Sequence, residues 1–178
     1  MVVFGCGGVG LNAIQGGVLA SAGKIIAVDK VPYKLELAEQ FGATHLVNAD
    51  KEDPVQQIKE ITGGGADYAF EVVGFPALVR QAFESVRMNG TALMIGVQPT
   101  GADISVDAAD LMMDRAVMGS FHGAARARVD FLWILDLYRQ GKIKLDELIS
   151  QYRPLGEINE AFEDMVQGKV ARTVLVFN

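Results

Sequence analysis

The sequence predicts a doubly wound α/β domain built on a parallel sheet, followed by a smaller C-terminal α+β extension. Three observations predict it. Short apolar runs alternate five times with helical segments up to Val97, separated by short glycine-marked loops. The runs are apolar without a polar alternation, as in Val2-Val3-Phe4 and Ile25-Ile26-Ala27-Val28, which suits strands covered by helices on both faces. After Val97 the rhythm breaks into a loop rich in Pro, Thr and Gly and a differently organised tail.

Each element has a local reason. Val2 to Phe4 is the first strand, and Leu11 to Ala22 a helix buried nearly all round, ended by Gly23. Lys24 to Asp29 is the second strand. Tyr33 to Phe41 is a helix with Leu35, Leu37, Ala38 and Phe41 inward and Gly42 at its end, and His45 to Asn48 is the third strand. Asp53-Pro54 opens a helix with a cap and a proline, and Gly63-Gly64-Gly65 stops it. Asp67 to Val73 is a strand, Pro76 to Arg87 a helix, and Thr91 to Val97 the fifth strand. Such βαβ repeats specify parallel strands joined by right-handed crossovers. Beyond them, Ile104 to Val106 reads as a short edge strand and Ala116 to Phe121 as a sixth strand. A long helix from Ala125 to Gln140 follows, with Phe131, Leu132, Leu135 and Tyr138 on one side. The tail then reads strand (Ile149 to Tyr152), helix (Ile158 to Val166) and strand (Val170 to Phe177). No internal repeat or low-complexity linker interrupts the order.

The 178 residues can bury a sizeable core, and half of them are apolar. A net charge of −6 argues against a nucleic-acid or anionic-membrane surface, so a bound phosphate would depend on backbone amides rather than a basic field. Cys6 is the only cysteine, which excludes an intrachain disulfide and a cysteine cluster for zinc and suggests a reducing, cytoplasmic setting. No charge precedes Lys24, yet this opening is neither a signal peptide nor a membrane span. It lacks a basic start, and seven glycines with Asn12 and Gln15 break its apolar character.

The opening holds Gly5-x-Gly7-x-x-Gly10, a weak pattern alone that gains force from a strand before it, a helix after it and an acid closing the next strand. Gly5 permits the tight turn, Gly7 lets backbone approach a pyrophosphate, and Gly10 lets the helix lie close on the sheet. The amides of Gly8 and Val9 then offer donors and a partial positive charge at the helix N-terminus. Asp29 stands nineteen residues past Gly10, where a carboxylate accepts bonds from ribose hydroxyls and repels a 2′-phosphate, favouring NAD over NADP. The competing reading of Asp29 is a cap on the following helix. Lys30 reads as a solvated charge. A sheet binding S-adenosylmethionine shares the glycine and the acid, but the three-glycine motif and the tail argue against it.

The stretches "VVFGCGGVGLNAIQG", "IIAVDKVPYKLELAEQFGATHLVN", "DYAFEVVG", "MIGV" and "ARTVLVF" together resemble zinc-dependent alcohol dehydrogenases of the medium-chain dehydrogenase/reductase family. The resemblance runs from Val2 to the end in family order. It implies a Rossmann NAD-binding domain over residues 1–121 and a return segment of a catalytic domain over 122–178. Carried over by position, it places Gly8 and Val9 on the pyrophosphate, Asp29 with Lys34 on the adenosine ribose, and Val72 and Val73 beside the adenosine and nicotinamide ribose. The carbonyls of Ile95 and Ser120 and the amide of His122 would hold the carboxamide, Val97 would line the nicotinamide pocket, and Arg172 would reach a phosphate. The family often has an aromatic residue where His122 stands, and contact through the backbone does not depend on that side chain.

The resemblance also implies a substrate alcohol or aldehyde and a homodimer through the sheet edge near Asp103 to Val106. The family's zinc ligands lie in an N-terminal half that this sequence does not contain, and no HxE or CxxC spacing replaces them. The expectation is therefore a cofactor-binding fragment, inactive by itself, with zinc only in the full-length enzyme. The alternative is a stand-alone NAD(H)-sensing or interaction module.

Other residues invite chemistry and receive plainer readings. Cys6 fills the turn rather than acting as a nucleophile. Tyr138-x-x-x-Lys142 matches a short-chain dehydrogenase spacing by chance, because Gly141 intervenes and the glycine turn is spaced differently. Glu71 reads as a partly buried acid bonded to nearby amides, Asp110, Asp114 and Arg115 as a solvated cluster, and His45 as a strand neighbour without chemistry.

Overall fold

The computed structural model describes residues 1–177. Six parallel strands form one sheet in the order β3-β2-β1-β4-β5-β6: β1 (Val2–Phe4), β2 (Ile26–Asp29), β3 (His45–Asn48), β4 (Ala66–Glu71), β5 (Val86–Met94) and β6 (Ala116–Gly119). The order reverses direction between β1 and β4, which opens a crevice above the carboxyl ends of the strands. Helices α1 (Gly8–Leu19), α2 (Pro32–Gln40), α3 (Pro54–Thr62) and α4 (Pro76–Glu84) make the crossovers.

Alternate strand residues feed two cores, because successive side chains leave a strand on opposite faces. Val2, Phe4, Ile26 and Val28 pack with Ile58 of α3 and Ala82 and Phe83 of α4. Val3, Ile25 and Ala27 pack on the other face with Leu11 and Ile14 of α1 and Leu35 and Ala38 of α2. The sheet is thus a middle layer covered on both sides, the parallel α/β/α arrangement expected.

The boundaries differ from expectation where tertiary geometry overrides local pattern. Helix α1 begins at Gly8 rather than Leu11, so the end of the glycine motif forms its first turn. Strand β5 begins at Val86, five residues early, because Ala66 pairs with Val86 before an irregularity brings Tyr68 opposite Thr91. Ile104 to Val106 is not a strand: it pairs with no other strand among the described residues, and Val106 instead packs against the first core. A four-residue helix, α5 (Ala108–Leu111), follows and is capped by Asp107. Arg115 bonds Asp110 at 2.9 Å with its side chain only 14% exposed, so these two form a partly buried pair rather than a solvated cluster.

The tail comprises α6 (Ala127–Arg139), β7 (Gln151–Pro154), α7 (Ile158–Val166) and β8 (Thr173–Val176), with β7 and β8 forming a separate parallel pair. Strand β7 starts two residues later than expected. Leu148, in the turn before it, is fully buried in the α1–α2 core. The Gln15 side chain of α1 holds the same segment by donating to the Lys144 carbonyl at 3.0 Å and accepting from its amide at 2.6 Å.

Candidate cofactor crevice

The glycine turn is built by contacts that leave no room for a Cβ. Gly5 lies at φ +99°, a left-handed conformation that favours glycine, and a Cβ there would stand 2.4 Å from Val73. A Cβ on Gly10 would stand 1.8 Å from the Gly5 carbonyl oxygen, so the helix crosses the strand end at a distance open to glycine alone. Gly7 is the opposite case. A Cβ on it would meet nothing within 4 Å, so the backbone is open there, before the first turn of α1. No side chain caps that helix at its N-terminus.

Asp29 closes the neighbouring strand and ties the turn in place. One carboxylate oxygen accepts from the Cys6 amide at 2.8 Å and the other from the Val31 amide at 2.9 Å, just before α2. Asp29 thus ties the glycine turn to the chain entering α2, but it is not the cap of that helix: Val31 is, and it has no side-chain cap bond. Lys34, in the first turn of α2, reaches to 3.2 Å from where a Cβ on Gly168 would lie. The Ala171 carbonyl would be 3.3 Å from a Cβ on Gly8, which brings the neighbouring, exposed Arg172 alongside the first turn of α1.

Two loops continue the rim. Val72 and Val73 follow β4 and touch the Gly5 turn. Gly74, at φ +101°, lies against Val97, and a Cβ on Gly96 would be 2.1 Å from the Gly74 nitrogen. Ser120 donates its amide to Met94 at 2.9 Å, which sets the end of β6 beside Ile95. His122, Gly123 and Ala124 then hold φ values of +48°, +65° and +51° in succession, strained for the two non-glycine residues. The His122 ring packs edge-on against Phe121 at 4.1 Å. Val9, Val73, Val97 and Phe121 all leave apolar side chains exposed, Val97 at 93%.

The plainer residues keep plain roles. Cys6 is fully buried and its thiol is pushed up to about 12, first by burial and then by the Asp29 charge, with Lys34 opposing. A thiol so held is not a nucleophile. Glu71 is fully rather than partly buried, bonded to the amides of Val73 and Gly74 as its sequence position suggests. The Tyr138 hydroxyl donates to Asp146, not to Lys142. His45 contacts the Thr44 hydroxyl at 2.8 Å on β3. A surface hollow of about 520 Å³ between α3 and α4 contains none of the predicted residues.

A family model described as zinc-binding dehydrogenase matches residues 8–138. The chain belongs to the zinc-binding dehydrogenase family. It is 42% identical to an alcohol dehydrogenase class-3 of Cereibacter sphaeroides, over 99% of this chain and 49% of that one. Its fold superposes on benzyl alcohol dehydrogenase of Acinetobacter calcoaceticus with a TM-score of 0.95 at 34% identity, covering 99% of this chain and 49% of the other. A zinc-binding dehydrogenase of Sinorhizobium meliloti bound to NADP matches with a TM-score of 0.86 at 27% identity, over 98% of this chain and 51% of that one. The chain spans about half the length of the curated relatives it matches.

Among the described residues of this zinc-binding dehydrogenase chain, no group of three or more His, Cys, Asp or Glu is placed to hold a metal ion. Nor is any described helix long and apolar enough to cross a membrane. Sequence reasoning missed Gly74 and Gly96 as parts of the rim. The glycines closing "EVVG" and interrupting "MIGV" at strand ends were the available signal.

Proposed function

We propose that this chain is the NAD(H)-binding part of a zinc-dependent alcohol dehydrogenase, with residues 1–121 as the cofactor domain and 122–178 returning to a catalytic domain. The observation that carries the reading is the Asp29 carboxylate held at the end of β2 and bonded to the glycine turn that leads into an uncapped helix N-terminus. Gly5, Gly7 and Gly10 shape that turn, and the Gly8 and Val9 amides hold the pyrophosphate with Arg172 alongside. Asp29 and Lys34 take the adenosine ribose, and the Asp29 charge disfavours a 2′-phosphate. Val72 and Val73 flank the ribose positions. Ile95, Ser120 and His122 hold the carboxamide through backbone groups, and Val97 walls the nicotinamide so that one ring face is presented to substrate.

Bound nicotinamide supplies the hydride acceptor or donor for an alcohol or aldehyde. Catalytic zinc needs about three protein ligands, and the described residues offer no such set, so in this reading the zinc and the substrate pocket belong to sequence outside residues 1–178. In the cell we place the protein in the cytoplasm as a homodimer joined across the open edge of β6, next to Asp103 to Val106.

Titration calorimetry tests the reading. NADH should bind about tenfold or more tightly than NADPH, given one added like-charge contact at Asp29, and Asp29→Asn should narrow that gap. S-adenosylmethionine should not compete, and the chain alone should not reduce NAD with primary alcohols. Equal affinity for NADH and NADPH would refute the assignment of Asp29, and alcohol turnover by the 178 residues would refute their dependence on a second half.

A further inference from the structure

We propose that Glu71 is a positioning residue for the nicotinamide half of the crevice and acts through Gln98, an inference that rests on the NAD(H) reading. Glu71 has no exposed surface, yet stands at the end of β4 where the crevice opens. One carboxylate oxygen accepts from the Val73 amide at 2.8 Å and the Gly74 amide at 2.6 Å. The other accepts from Gln98 Nε2 at 3.1 Å, across from the loop that follows β5. The Glu71 backbone carbonyl in turn accepts from the amides of Ile95 and Gly96, at 2.8 and 3.1 Å. A single buried residue thus bonds both loops on which Val73, Ile95 and Val97 stand.

The chemistry of the partners makes the arrangement directional. Gln98 Nε2 points at two acceptors, the Glu71 carboxylate and the Gly96 carbonyl at 3.3 Å, which fixes the amide orientation. Gln98 Oε1 is buried with no partner. Such an uncompensated acceptor is costly, and the charge-assisted bond to Glu71 offsets that cost by holding the amide in place. The strut sets the spacing between two loops in a crevice whose opposite end, at Asp29, it does not touch.

The test separates positioning from mere stability. Gln98→Glu sets a second carboxylate against Glu71, and the two repel. NADH affinity should fall about tenfold, while ADP, which lacks the nicotinamide riboside, should bind within about twofold of wild type. The exchange E71Q/Q98E restores one donor facing one acceptor and should recover NADH affinity to within about threefold. Gln98→Leu, which changes only the partly exposed partner, keeps the test open if the exchanged variant does not fold, and should weaken NADH about fivefold with ADP unchanged. Equal losses for NADH and ADP, or no loss in either single variant, would overturn the positioning role alone. A wild-type chain that binds neither NADH nor ADP would overturn the cofactor reading and this proposal together.

Discussion

The sheet and the tail treat apolar side chains in opposite ways. Val2, Val3 and Phe4 of β1 are buried to within 1% of completely, and every neighbouring strand contributes to one of two closed cores. Among the described residues of the tail only Leu137, Leu148 and Ala161 are buried hydrophobics, while Phe131, Leu132, Trp133, Phe162 and Val166 stand open to solvent. A parallel sheet completes its burial with its own crossover helices, so the first region is self-contained. Helices α6 and α7 instead keep large apolar side chains uncovered. The tail meets the sheet domain through Leu148 in the core with Leu145 and Ala171 packed against it, through Gln15 on Lys144, and through the Lys144 ammonium on the Gln40 carbonyl and above the Phe41 ring.

The sharpest way to break this contrast is to add one carbon to a glycine in each region. Gly10→Ala drives a Cβ to 1.8 Å from a backbone oxygen and 2.9 Å from its carbon, neither of which is a flexible side chain able to yield. It should cost more than about 4 kcal/mol, enough to abolish cooperative folding in a urea titration. Gly156→Ala in the tail meets nothing within 4 Å and should change stability by no more than about 0.5 kcal/mol. A Gly10→Ala chain with wild-type stability would show that α1 does not cross β1 as described.

A second pair of substitutions asks whether Leu148 is the tail's anchor. Leu148→Ala empties a fully buried site and should cost about 3 kcal/mol. Leu132→Ala, at a side chain 65% exposed, should cost less than about 1 kcal/mol under the same urea titration. Equal costs would mean either that the tail buries Leu132 against a second surface in solution or that Leu148 is not in the core.

What could be read from the sequence follows the same division. Strands buried on both faces must be short apolar runs, and a strand that feeds a phosphate turn must shed its Cβ atoms. Val2 to Phe4, Gly5 and Gly10 were therefore legible from residue type alone. Asp29 was legible because its spacing is set by one crossover. Contacts that depend on where distant segments come to rest were not: Glu71 meets Gln98 across 27 positions, and Gln15 meets Lys144 across 129. A glutamate in "FEVVG" carries no mark of its burial, and nothing in Leu148 distinguishes it from the exposed Leu132. The start of α1 was misplaced because glycines are poor helix formers by propensity, whereas here packing against the strand end sets the first turn. Ile104 to Val106 has strand-like residues, but a strand exists only where a neighbour pairs with it.

The last contrast between the two regions runs through a single thiol. Burial, then the Asp29 charge, raises the Cys6 thiol to about 12 from an ordinary value of 9, and Lys34 only partly opposes them. The folded chain therefore keeps its proton where the unfolded chain loses it. This contribution to stability is fully present below about pH 9 and is lost as pH rises toward about 12. Urea midpoints should accordingly fall over that alkaline window, and less so in Cys6→Ala. At pH 8 the thiol should resist an aromatic disulfide reagent until denaturant is added, because it is both protonated and covered. Val166→Cys supplies the contrast, since that position is 82% exposed and its thiol should react at once in the folded chain. If both thiols reacted at the same rate, the turn beneath the candidate pyrophosphate site would open as readily as the tail does. A helix N-terminus that opened so easily could not hold its amides fixed for a ligand, so this minor measurement bears directly on whether the glycine turn is preorganised.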